Sequence, residues 1–170
     1  LQLDIDLGVP RGAPDQLRTA LDRALRDDGA DPVTAMVQAM AFERRRGAAV
    51  AADRLAAAEA LLREHGTGDR TAALWHEVVM ARGARGDVAA LLGLLAQDAV
   101  PGDRRQRTLT ALFADRAAAE DVPVLYILAR LHGRAWRADG SDAGRARVAA
   151  IAALRAAGLT GGAEALRAGR

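Results

Sequence analysis

Apolar residues recur at every third or fourth position through most of this chain, the spacing that lays one face of an α-helix against a core. The clearest case is the stretch 71–101, TAALWHEVVMARGARGDVAALLGLLAQDAVP. It predicts an apolar helix, a tight turn at Gly86 and Asp87, a second apolar helix and a stop at Pro101. The same periodicity predicts helices on either side. One covers about 15–28, with Leu17, Leu21, Ala24 and Leu25 on one face. The next, 31–47, starts at the cap Asp31 and Pro32 and carries Val33, Met36, Val37 and Met40. A third runs over 48–64 with Ala51, Leu55, Ala58 and Leu62, followed by the 69–84 and 87–99 pair. Beyond them come 103–119 (Leu109, Leu112, Phe113), 122–138 (Leu125, Leu128, Leu131), 141–157 capped by Ser141, and a short tail helix at 162–168.

The expected fold class is therefore all-α. Connections are short, so successive helices should fold back as antiparallel hairpins, either stacked as a solenoid or gathered into an irregular bundle. Residues 1–14 stand apart. Leu1 to Leu7 alternate apolar and polar side chains, the mark of a half-buried strand, before Gly8, Pro10, Gly12 and Pro14 interrupt it. This segment is a short strand or an extended arm in front of one helical domain spanning 15–170. A strand there needs a partner edge, supplied by a second copy, another domain or another protein. The run VPVLYIL at 122–128 is β-like too, but Pro123 argues against a central strand.

Helix starts at Asp31, Asp69, Asp103 and Ser141 are separated by 38, 34 and 38 residues, the range of helical-hairpin repeats. The unit 71–101 resembles the tetratricopeptide family. Trp75 falls at the early aromatic position, Gly86 and Asp87 match the turn dipeptide, Leu91 sits where a small residue is usual, and Pro101 lies near the closing proline. Val78 and Val79 replace the Leu-Gly pair and Arg82 the mid-helix tyrosine, and the other units keep only the period. The resemblance implies a stack whose first helices line a groove for a protein or peptide. Gln38, Arg45, His76, Arg82, Arg107 and Arg134 are then its contact candidates. A second stretch, LDIDLGVPRGAPDQLRTALDRALRDDG, is similar to the opening of winged-helix regulators of the GntR type through Gln16-Leu17-Arg18. Where that family continues into a helix-turn-helix, residues 31–47 form one continuous helix, which removes the DNA-reading element.

Composition narrows the picture. The chain has 170 residues, 51% of them apolar but only 3% aromatic, which suits closely approaching Ala- and Leu-rich helices. Its basic residues are all arginine, and lysine, asparagine and cysteine are missing. That bias fits a GC-rich bacterial genome and leaves no disulfide or thiolate chemistry. No apolar run reaches the length of a membrane span and no signal peptide opens the chain, so a soluble cytoplasmic protein is expected. The chain starts at Leu1, the expectation for a processed product or a piece of something longer.

Catalytic signals are few. His76-Glu77 begins like a zinc-protease motif, but the second histidine would fall at Met80. His65, His76 and His132 have no metal-ligand spacing, Ser141 lacks a nucleophile elbow, and no phosphate-binding loop follows a strand. No metal, no cofactor and no catalytic residue is assigned, and nothing argues positively for an enzyme. Charge is more informative: residues 1–31 balance to −3 and residues 122–170 to +5. An acidic front and a basic back favour head-to-tail self-association or an acidic partner. Arg130, Arg134 and Arg137 recur at helical spacing beside Trp136, a basic stripe that would suit an anion or RNA, or simply a solvated arginine face. The leading expectation is a protein- or peptide-binding adaptor, scaffold or regulatory module. A nucleic-acid-associated regulator using the arginine-rich C-terminal third is the second reading. A helical enzyme or ligand pocket around Trp75, His76 and Trp136 is the third.

Overall fold

The computed structural model describes residues 19, 23, 31–97, 99–137 and 140–169. The described residues are helical apart from turns and short connections, so the expected all-α class holds. The proposed strand or arm over 1–14 lies outside them, as does most of the helix expected over 15–28, of which Thr19 and Arg23 are described and helical. The chain divides into two compact units, one ending at Gly66 and the other beginning at Thr67.

In the first unit, α1 (Pro32–Arg45) and α2 (Ala52–His65) form a hairpin. Asp31 caps α1 as the sequence predicts: its carboxylate accepts from the Thr34 N–H at 3.2 Å and from the Thr34 hydroxyl at 2.6 Å. Val33, Met36 and Met40 are buried on α1, and Leu55, Ala58 and Leu62 on α2, where Ala51 instead precedes the helix and is exposed. The buried Glu43 carboxylate meets Arg54 at 3.3 Å, tying the two helices together.

The second unit opens with a 3-10 turn (Asp69–Thr71) and continues through α3 (Ala72–Ala84), α4 (Val88–Leu95), α5 (Gly102–Ala118), α6 (Val122–His132), α7 (Ser141–Ala156) and α8 (Thr160–Ala168). These helices pair as three hairpins, α3/α4, α5/α6 and α7/α8. Their first helices also pack on one another, α3 on α5 and, most extensively, α5 on α7, while α6 packs on α8. Trp75, Val78 and Val79 on α3, Leu109, Leu112 and Phe113 on α5, and Leu125 and Leu128 on α6 are fully buried. On α7 the buried positions are Ala143, Ala146, Ala150 and Leu154, and side chains this small let α5 approach closely.

One reversal geometry serves the four hairpins among the described residues. At each turn a residue with φ between 52° and 75° follows the helix: Gly47, Gly86, Glu120 and Gly158. Its N–H reaches back three residues, from Gly47 to Arg44, Gly86 to Gly83, Glu120 to Ala117 and Gly158 to Arg155. The next N–H reaches back five, from Ala48 to Glu43, Asp87 to Arg82, Asp121 to Arg116 and Leu159 to Leu154. Together these two bonds satisfy carbonyls that the helix end leaves open, and they require the left-handed backbone that glycine adopts without strain.

Three local expectations are corrected. Ser141 is not a cap but the first residue of α7; the residue before it, Gly140 (φ 97°), takes that position without a side-chain hydrogen bond. The helix expected over 122–138 stops at His132, because the chain turns there to bury Trp136. Leu131, in the last turn of α6, is 59% exposed rather than part of the core.

Candidate binding cleft

The buried and exposed faces of α5 follow from its spacing. Leu109, Leu112 and Phe113 point into the core, which leaves Asp103, Gln106, Arg107, Thr110, Ala111 and Ala114 on the opposite side at intervals of three and four. Those six residues form one wall of an open cleft of about 760 Å³. Arg137, Asp142 and Ala143, at the approach to and start of α7, form the other. The volume lies within the range of ligand-binding pockets.

Trp136 fixes the segment that carries Arg137. Its ring stacks on Phe113 with centroids 4.3 Å apart and planes 10° from parallel, burying two of the chain's few aromatic side chains together. The indole N–H donates to the Thr110 hydroxyl at 3.0 Å, and that hydroxyl donates to the Gln106 carbonyl at 3.0 Å. The Gln106 side chain completes the attachment. Its amide nitrogen donates to the Ala135 carbonyl at 2.9 Å and its amide oxygen accepts the Arg137 N–H at 2.8 Å. One side chain therefore engages the backbone on both sides of Trp136. On the far side, the Arg147 guanidinium lies 5.1 Å from the Trp136 ring centre and donates to the carbonyls of Gly169 (2.7 Å) and Trp136.

The charges at the cleft are arranged in pairs. Asp103 binds Arg107 one helical turn on, and Asp142 binds Arg145. The Arg107 hydrogen bond, helped by the Arg104 N–H, holds the Asp103 carboxyl below its usual range. Arg137 is exposed, and among the described residues no acidic side chain is bound to it.

Of the residues singled out in the sequence, Arg107 and Arg137 meet at this cleft. The others are dispersed. Gln38 is half-buried on α1, and Arg45 at the end of that helix donates to the Ala41 carbonyl at 3.2 Å. His76 is half-buried on α3, with Nδ1 2.9 Å from the hydroxyl of the buried Thr108 on α5, so it bridges two helices. Arg82 spans its hairpin turn to Asp87 at 2.7 Å. Arg130 is exposed on α6 and Arg134 exposed in the turn after it. The basic stripe Arg130, Arg134 and Arg137 is accordingly not one helical face, since α6 ends at His132 and only Arg130 lies on it. Trp75 and Trp136 are fully buried core residues and do not line the cleft. The Trp75 indole N–H donates to the Leu94 carbonyl at 3.1 Å, joining α3 to α4.

Gln106 and Thr110 were not among the sequence candidates. The available signal was a polar and alanine face opposite Leu109, Leu112 and Phe113, a pattern shared with any solvated helix. Among the described residues no helix is long and apolar enough to cross a membrane, and no group of three His, Asp or Glu side chains could hold a metal ion. No protein-family model matches the chain, no curated protein matches it, and no solved structure matches it.

Proposed function

We propose that this chain is a protein- or peptide-binding module of repeated helical hairpins, serving as an adaptor, scaffold or regulatory part of a bacterial cytoplasmic protein. The observation that carries the reading is the cleft itself, lined by α5 and α7, the first helices of successive hairpins. Helical hairpins stacked in this way offer extended concave surfaces, and their first helices are the elements a partner meets. The shared turn geometry at Gly47, Gly86, Glu120 and Gly158 supports a tetratricopeptide-like repeat as the source of that surface. The small side chains of Ala111, Ala114 and Ala143 in the two walls admit close approach of a peptide backbone, with Gln106, Thr110 and the arginines beside them as hydrogen-bonding groups.

Selection of displayed random peptides against the chain tests this reading. Enriched peptides should bind the wild type and lose binding to Ala114→Arg, which fills the cleft from an exposed position. Failure to enrich any peptide, or equal binding to both proteins, would overturn it.

A further inference from the structure

Resting on that reading of the cleft, we infer that its ligand is an acidic peptide segment whose carboxylate meets Arg137, with Gln106 as the residue that positions Arg137. The inference comes from the order in which charges at the cleft are already used. Both carboxylates at its rim are occupied by an arginine of their own helix, Asp103 by Arg107 and Asp142 by Arg145. Arg137 is the cleft cation with no bound acid among the described residues. A carboxylate can take two parallel hydrogen bonds from this exposed guanidinium, which a neutral ligand cannot match in charge.

The backbone at Arg137 is unusually well fixed for a position outside a helix. Gln106 clamps the segment through Ala135 and Arg137, and Trp136 between them is buried against Phe113 and bonded to Thr110. The cost of ordering residues 135–137 is thus met in the free protein, which favours binding through pre-organisation. The same rim argues for a peptide over a nucleic acid. A polyphosphate backbone needs a run of cations along its path, whereas the cleft offers Arg107, held by Asp103, and Arg137, which among the described residues has no bound acid, a supply that suits one carboxylate.

The test follows backbone amide shifts of the whole chain during titration with four probes: short acetylated and amidated peptides of alternating alanine with glutamate, glutamine or arginine, and a short single-stranded RNA. The glutamate peptide should move the amides of Gln106, Thr110, Arg137 and Ala143 and bind more tightly than the glutamine peptide. Arg137→Gln should weaken the glutamate peptide about fivefold, the upper end for an exposed ion pair, and leave the glutamine peptide unchanged. Gln106→Ala should reduce the same glutamate-over-glutamine preference, a selectivity that a merely structural role would not alter. Equal affinity for glutamate and glutamine peptides, or indifference to Arg137→Gln, would overturn the inference. If the glutamine or arginine peptide occupies the cleft more tightly, the groove reading stands and the acidic preference falls. If RNA does, the peptide assignment falls. If no probe moves a cleft amide, both the acidic preference and the groove reading fall.

Discussion

The turn between α3 and α4 and the turn between α5 and α6 lie 34 residues apart and share their backbone hydrogen bonds, yet they differ at the residue that needs a left-handed conformation. The first uses Gly86 at φ 67° and the second Glu120 at φ 52°. Around that difference the side chains repeat. Arg82 reaches Asp87 at 2.7 Å in one turn, and Arg116 reaches Asp121 at 3.2 Å in the other. Each aspartate also caps the helix that follows, accepting from the Ala90 and Val124 N–H groups respectively. The turn at Gly158 retains the two backbone bonds but has Leu154 and Leu159 where these two have arginine and aspartate, and the turn at Gly47 has Glu43 and Ala48. Hairpin reversal here is specified by backbone geometry, which several side-chain solutions satisfy. At Glu120 the left-handed backbone is strained, and the arginine–aspartate bridge stands beside it as it does beside Gly86.

That comparison can be broken first in the core. Trp75 and Leu109 occupy the same register 34 residues apart and are both buried. Trp75→Ala is expected to cost about 3–5 kcal/mol and Leu109→Ala about 2–5 kcal/mol in urea unfolding. Losing the tryptophan also removes the indole hydrogen bond to the Leu94 carbonyl, which keeps the Gln97 N–H at 3.3 Å, so the larger loss should fall at Trp75.

The bridges should differ next. Arg116 is buried and contacts both Asp115 and Asp121, whereas Arg82 is half-buried and holds Asp87. Arg116→Ala should therefore cost about 2 kcal/mol and Arg82→Ala about 1 kcal/mol or less, with the partly exposed carboxylates keeping both below the value for a dry pair. Equal losses would remove the distinction between the two turns.

At the αL position the two turns should respond with opposite sign. Glu120→Gly is expected to raise stability by about 0.5–1 kcal/mol, and Gly86→Ala to lower it by about 1 kcal/mol, both readable as shifts in the thermal midpoint. A destabilised Glu120→Gly would show that the glutamate side chain contributes more than its backbone strain costs.

The smallest expected effect is a pH dependence. Desolvation, with Arg105 nearby, lowers the His132 pKa from its ordinary 6.5. A base depressed in the folded state favours the unfolded chain as the pH falls below 6.5, because the unfolded histidine takes up a proton first. Its contribution is intact above that value and is lost progressively down to the folded pKa. His132→Gln should flatten this part of the stability profile, and an unchanged slope would count against the assignment.

Much of the helical architecture was legible in the sequence because it rests on local signals. Three-and-four spacing located Leu109, Leu112, Phe113, Leu125 and Leu128, and Asp31 and Asp87 marked helix starts through side chains that accept backbone N–H groups. The errors arose where a distant contact decided a local outcome. Helical spacing continued past His132 to Arg137, but the stack of Trp136 on Phe113 draws the chain off the helix after His132. Of the cleft, the sequence offered Arg107 and Arg137 for unrelated reasons. It could not indicate Gln106, because the role of that amide depends on a backbone segment 29 to 31 residues away. The tetratricopeptide resemblance rested on residues of the single unit 71–101, whereas what the turns at Gly47, Gly86, Glu120 and Gly158 have in common is their backbone hydrogen bonds.

A stack of these hairpins, as proposed, would make each unit depend chiefly on its neighbours and leave the first helices available to a partner. Native-state hydrogen exchange at increasing denaturant tests it most directly, residue by residue. A stack should open in steps. The amides of α4, which packs chiefly on α3, should exchange at a lower opening free energy than those of α5 and α7, whose mutual packing is the most extensive in the second unit. Convergence of every slow amide from α3 to α8 on one opening free energy would instead mean a single cooperative bundle and would contradict the claim.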